Sequence, residues 1–295
     1  MITAASATQG PKQSAVVLMS LLLVLGAACS RSDRDEVQAN RASTLGSTFV
    51  DNPGSGTKGS TTVGAVAKVP MAVPYWLYGA SLAAGQPRPI PPDAEPVQFA
   101  LDILIGGPND AEVAAGLHSD VRGAYYSLAI EGETAIVDFT RAFQTANTRP
   151  QVAQVVYTLT QFDSVTQVKF KVDGTDNGAT GVPPQRREEM DDMLPTVLVE
   201  SPYPAQEVGS SFKLAGTTTI VDAEVHWRVE GPDGTQVAEG TARAQPARST
   251  GNRGKLLQEI VLPTEIKGSV VLVIPQRNPS TGYEPPPTRI PLTVT

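Results

Sequence analysis

Tyr126-Ser127-Leu128-Ala129-Ile130-Glu131-Gly132-Glu133-Thr134-Ala135-Ile136-Val137-Asp138-Phe139 alternates twice around one turn. Tyr126, Leu128 and Ile130 fall on one side of an extended chain. Glu131-Gly132-Glu133-Thr134 reverses it, and Ala135, Val137 and Phe139 alternate again. Successive strand side chains point to opposite faces, so the two runs predict a β-hairpin with one apolar face. The flanking sequence supplies the cover that face needs. Upstream, Pro96 suits the first turn of a helix, where a missing N–H costs little, and Val97, Ala100, Leu101 and Leu104 share one side. Gly106-Gly107-Pro108 stops that helix. Downstream, Pro150 opens a second helix with Val152, Val155, Val156 and Leu159 on one face, although Val155 to Thr160 also has strand propensity. Val168, Phe170 and Val172 then alternate with Lys169 and Lys171, and Val73 to Tyr78 is a candidate strand ahead of the first helix. The order β-α-β-β-α-β predicts an α+β domain, a split βαβ unit with both helices on one face of an antiparallel sheet.

Four blocks of this region resemble the GerMN domain. They are Leu104-Ile105-Gly106-Gly107-Pro108 followed by Glu112 and Gly116-Leu117-His118-Ser119; Ala135 to Thr140 with Phe143; Val156 to Phe162; and Val172-Asp173-Gly174. The family occurs in sporulation and germination proteins and in envelope lipoproteins, and its fold resembles modules that pack side by side in ring-building envelope proteins. The resemblance implies an assembly or interaction module and brings no catalytic residues.

From Pro195 onward the pattern is all-β. Val197 with Val199, Phe212 with Leu214, Val225 to Val229, Gln236 to Gly240, Leu256 to Leu262, Ser269 to Ile274 and Arg289 to Val294 make seven short strands, with a Gly231-Pro232-Asp233-Gly234 turn. Seven such strands predict an immunoglobulin-like β-sandwich with Trp227 as its core aromatic. Ser201-Pro202, Val208, Gly216, Val225 and Gly234 resemble the immunoglobulin-like domain found downstream of GerMN in bacterial spore-germination proteins.

The N-terminus reads as a signal peptide over 1–28. Lys12 precedes an apolar run, Ala15 to Leu25, and Gly26-Ala27-Ala28 leads to the single cysteine, Cys29. A membrane span takes about 20 apolar residues, more than this run holds. A cysteine at the cut implies a lipoprotein with lipid on Cys29. Because Leu25 stands four residues before Cys29 rather than three, the small triplet also suits an ordinary signal peptidase and a secreted protein. Residues 29–68 lack periodicity and large apolar side chains, and read as a flexible tether. The domain map is then 69–174 for the GerMN-like domain, 175–194 for a linker and 195–295 for the sandwich.

The formal net charge of -7 argues against nucleic acid as a partner. Two histidines, His118 and His226, fall in different domains and do not make a metal site. Asp173 to Gly178 spaces oxygen ligands as calcium loops do, but lacks the later bidentate Glu and reads as a turn. Gly106 to Asp110 lacks the Gly-Lys-Ser/Thr of a phosphate loop and reads as a helix stop and an N-cap. The Gly-x-Ser-x-Gly nucleophile elbow is absent from the sequence. The expectation is therefore a non-enzymatic envelope lipoprotein without cofactor or metal, on the extracytoplasmic side of the membrane. It would bind or scaffold envelope proteins, self-association included. Lys169 and Lys171, opposite Phe170, either keep an exposed face soluble or mark the docking face. The alternative is a binding module for a wall polymer or small ligand, with Tyr75, Trp76, Tyr203 and Tyr283 as the few aromatics on offer.

Overall fold

The computed structural model describes residues 69–121, 126–141, 143, 148–176, 183–220, 224–245, 253–277, 282 and 284–295. Cys29 and the 29–68 tether lie outside them. The first domain runs β1 (Met71–Ala72), β2 (Tyr75–Tyr78), β3 (Ser81–Ala84), β4 (Arg88–Pro89), α1 (Pro96–Gly106), α2 (Asp110–Ala114), β5 (Leu117–His118), β6 (Tyr126–Glu131), β7 (Thr134–Phe139), α3 (Thr148–Leu159), β8 (Gln167–Val172) and β9 (Thr175–Asp176). The hairpin is β6–β7, paired from Tyr126↔Phe139 to Glu131↔Thr134. Gly132 turns it at φ 59, which glycine adopts without strain.

Helix α1 forms as its sequence dictates. Glu95 caps it by accepting from the Gln98 N–H at 2.9 Å, Pro96 occupies the first turn, and Gly107 at φ 85 ends it. Val97, Ala100, Leu101 and Leu104 are its buried face. From β7 the chain crosses through α3 and returns as β8, parallel to β7, giving a sheet ordered β6-β7-β8-β9. Phe139 stacks on Phe143 at 4.0 Å between centroids, with Phe170 6.0 Å from Phe143, and these rings fill the layer under the helices.

The first strand is placed differently from expectation. Strand β2 does not join the β6–β9 sheet; it pairs with β3 and β5 in a sheet of its own. The cause lies in α3, which is buried at every position from Pro150 to Leu159. Its apolar side packs in the core with Val168 and Phe170 of β8, while its polar side faces the edge of β2. Gln161 accepts from Val73 N–H at 2.8 Å and donates back to Val73 C=O at 2.9 Å. Thr158 accepts from Tyr75 N–H at 3.0 Å, and Gln154 donates to Tyr75 C=O at 3.1 Å. Gln154 and Gln151 bond Asp120 in the same way, at 3.0 Å each. A stripe of amide and hydroxyl side chains thus satisfies main-chain groups that a neighbouring strand would otherwise pair.

Residues 183–194, read as part of a linker, are packed. Gln185 exchanges both backbone hydrogen bonds with Val168, at 2.7 and 2.9 Å. A 3-10 turn, Arg187–Met193, then buries Met190 and Met193 in the core of the first domain. The sandwich follows as β10 (Val197–Ser201), β11 (Gln206–Val208), β12 (Ser211–Thr218), β13 (Glu224–Glu230), β14 (Gln236–Gln245), β15 (Gly254–Val261), β16 (Gly268–Ile274) and β17 (Thr288–Val294). All seven expected strands are present, and β11 is an addition, parallel to β17. The strands form one curled sheet, β10-β12-β15-β14-β13-β16-β17-β11. Strand β14 makes the bend, pairing with β13 along most of its length and with β15 at Ala244 and Gln245. Trp227 sits inside against Gly240, where a Cβ would stand 2.8 Å from the ring Cε2. Among the described residues no helix is long and apolar enough to cross a membrane.

Candidate functional site

Lys169 and Lys171 lie on the face of β8 turned away from the helices, beside Ile136 and Asp138 of β7. Lys169 is engaged there: its Nζ meets Asp176 at 2.9 Å, and that hydrogen bond holds the Asp176 carboxyl below the usual carboxylate range. Lys171 has no ion pair among the described residues. His118 and His226 are exposed on β5 and β13, and the described residues hold no cluster placed to bind a metal ion. Asp173 and Gly174, both at positive φ, turn β8 into β9, and Asp173 pairs with Arg141 at 3.3 Å. Tyr75 and Trp76 are buried, which removes them as sugar-stacking aromatics. Tyr203 is half-buried, and Tyr283 lies outside the described residues.

Two polar constellations organise the molecule instead. The first centres on Glu112, fully buried on α2. Its Oε1 accepts from Trp76 Nε1 at 2.9 Å and from Gln86 N–H at 2.8 Å; its Oε2 accepts from Arg88 and from Asn109 N–H, each at 2.8 Å. Burial raises the carboxyl pKa, but the bonds from Arg88, Trp76, Asn109 and Gln86 outweigh it and leave the group below its ordinary value. The Asn109 side chain completes a capping box by accepting from Glu112 N–H at 2.9 Å. Gly85 is required beside it, since a Cβ there would lie 2.7 Å from Glu112 Oε1.

The second constellation joins the two domains. Arg187 lies over the rings of Tyr157 and Tyr75, at 4.3 and 5.3 Å from their centroids. Tyr157 donates to Asp191 at 2.9 Å, and burial followed by the Asp191 charge pushes its hydroxyl pKa up. Tyr75 donates to Glu200 of β10 at 3.4 Å, and Leu198 of β10 enters the core of the first domain. Arg253 donates to Pro195 C=O at 2.8 Å and to Thr217 C=O at 3.1 Å. Most of these groups are paired with one another, Arg187 Nε alone among them being buried without a hydrogen-bond partner, and together they make a structural seam. Beside the seam lies a cavity of about 430 Å³ whose walls include Tyr78, Leu82, Leu117, Leu198, Pro204 and Ile290. Of its polar lining residues, Gln276, Arg289 and Asp192 are occupied by Val197, Glu230 and Arg149, and most of the remaining lining is apolar. Sequence reading missed both the seam and the cavity. Glu112 was visible only as part of a family block and as the fourth position of Asn109-Asp110-Ala111-Glu112.

Residues 65–178 match the family model Germane, sporulation and spore germination, and residues 196–283 match Gmad2, the immunoglobulin-like domain of bacterial spore germination. The chain joins a Germane domain to a Gmad2 domain. The resemblance read in the sequence stands for both, and the Germane domain contains the Glu112 constellation. Among solved structures, the tandem GerMN domains of the sporulation protein GerM from Bacillus subtilis are similar at 17% identity and a TM-score of 0.37, over 66% of this chain and 62% of that one. The first GerMN domain of the same protein is similar at 25% identity and a TM-score of 0.32, over 39% of this chain and 92% of that one. The chain therefore spans less than two thirds of the tandem structure. No curated protein matches it.

Proposed function

We propose that this chain is a non-enzymatic lipoprotein of the cell envelope, held by lipid on Cys29 at the extracytoplasmic face of the membrane. Its role is to bind and scaffold other envelope proteins in a process related to sporulation or germination. The observation that carries the reading is the succession of a Germane and a Gmad2 domain, both described from spore germination. The packed seam supports it, because Leu198 and Glu200 fix one domain on the other and so fix the relation between their outer faces. The Lys169 and Lys171 face is a docking surface on this reading, with Lys171 the side chain available to an acidic partner. Capture of membrane proteins by the intact lipoprotein is the test. Recovery of the same envelope proteins in repeated captures, lost with Lys171→Glu, supports it. A protein that captures nothing from membranes yet pellets with wall polymer would overturn it.

A second reading is a binding module for a small ligand, and the cavity of about 430 Å³ favours it. Pockets of this size and apolar character hold small molecules. A rise in melting temperature on adding an apolar ligand, abolished by Leu82→Trp, would support that reading.

A further inference from the structure

Most sheet edges among the described residues are blunted. Strand β9 has two residues and β11 three, while β10 lies against the first domain through Leu198 and Glu200. Strand β6 differs. It has six residues, pairs only with β7 among the described residues, and carries neither proline nor lysine, the usual guards of an edge. Its outer end is exposed at Ala129, Ile130 and Glu131, and Ile130 shows 42% of its surface on the helix-side face.

The geometry of the hairpin decides what this edge offers. Gly132 at positive φ is the first residue of a two-residue turn closed by Glu131 and Thr134, the II′ type. In such a hairpin the closing pair exchanges hydrogen bonds and the pattern alternates from there. The N–H and C=O groups of Tyr126, Leu128 and Ile130 therefore point away from β7. We infer that β6 pairs antiparallel with β6 of a second copy of this chain, centred on Ala129, so that two four-stranded sheets become one of eight strands. In that register Leu128 of one copy faces Ile130 of the other, both with outward main-chain groups, and the exposed Ile130 gains an apolar neighbour. Ala129 faces Ala129, and Ser127 faces Glu131. No like charges oppose each other, although the chain as a whole carries a net charge of -7. The strand is thus self-complementary about a two-fold axis, the condition for a closed dimer. This pairing deepens the scaffolding reading and rests on it for its biological purpose, while its geometry stands on β6 alone.

Opposed residues of a non-hydrogen-bonded pair have Cα atoms about 4.5 Å apart, within disulfide range. The test therefore uses the full chain with Cys29→Ser, in which Ala129→Cys is the only thiol. Mild oxidation should give a disulfide-linked dimer with A129C and none with Val113→Cys, an exposed position on α2. Sedimentation should find a reversible dimer for the Cys29→Ser chain and a monomer for Ala129→Lys, with unchanged melting temperature. Should A129K melt early, Ile130→Lys, exposed at the outer end of the strand and opposed to Leu128 of the other copy, replaces it. No dimer with A129C, equal crosslinking of A129C and V113C, or sedimentation unaffected by either lysine overturns the edge pairing. Capture of membrane partners by the intact lipoprotein would be untouched by such a failure, which separates it from a failure of the scaffolding reading.

Discussion

Glu112→Gln removes a charge from a fully buried and densely hydrogen-bonded group. The carboxylate is 0% exposed, and its oxygens receive three donors at Oε1 and two at Oε2. An amide in its place turns one oxygen into a donor facing two donors and leaves the Arg88 guanidinium without a counter-charge. Removing one partner of a buried ion pair costs about 3–5 kcal/mol. The Arg88 side chain is 21% exposed, so water shares part of the loss and the lower end applies, about 3 kcal/mol. If the seam makes both domains unfold together, a unit of this size loses about 2–4 °C per kcal/mol, which gives a drop of about 6–12 °C near neutral pH. The pH dependence follows from the sign of the shift. A carboxyl whose folded pKa is depressed contributes stability above its unfolded pKa and loses it as pH falls through the folded one. Wild type should therefore lose more stability than the Gln variant on acidification below the ordinary Glu range, and the two melting curves should converge. Thermal unfolding followed by circular dichroism at neutral and acid pH reads both effects. A variant melting within about 2 °C of wild type at neutral pH, or two curves running parallel into acid, would refute the account of Glu112 as the buried organiser of the first domain.

Trp227→Ala should cost about 3–5 kcal/mol in urea unfolding, because the ring is only 9% exposed and its removal leaves a large void. Gly240→Ala attacks the same contact from the other side, driving a Cβ to 2.8 Å from Trp227 Cε2, and should cost about 1–3 kcal/mol by overpacking. Cys29→Ser should move the protein from membranes to the soluble fraction; a variant that still pellets through high-salt and carbonate washes would end the lipid-anchor proposal. Lys171→Glu should weaken partner capture without altering the melting temperature, whereas Lys169→Glu also breaks the exposed pair with Asp176 and sets two acids together.

The elements legible in sequence were those whose periodicity meets a single environment. The β6–β7 hairpin and α1 each have one buried face, and the alternation or the i, i+3, i+4 spacing reports it directly. Strands β12 and β13 were readable for the same reason. Helix α3 defeats this logic. Gln151, Gln154, Thr158 and Gln161 form a polar stripe at helical spacing, and such a stripe ordinarily faces water. Here it faces the backbone of Val73, Tyr75 and Asp120, and only the tertiary structure shows that main chain can take the place of solvent. The acidic run Glu188 to Asp192 misleads in the same way. It reads as solvated linker, yet Asp191 binds Tyr157, Asp192 binds Arg149, and Met190 between them reaches the core.

The seam changes what a partner can meet. A hinge would leave each domain to bind independently, with the tether and linker both adding freedom. In the structure the last turn before the sandwich is buried at Met190 and Met193, clamped by Arg187 across two tyrosines, and continued by Leu198 into the core of the first domain. The seam engages Tyr75, and the Glu112 constellation engages Trp76, which is why both leave the inventory of binding aromatics. Among the described residues, what stays open to a partner is peripheral: the outer face of β8 with Lys171, and the main chain of β6 that points away from β7. These two surfaces belong to one sheet and stand two strands apart. A second copy paired along β6 would extend the Lys171 face across both molecules, so self-association and partner docking reinforce each other through a single continuous sheet.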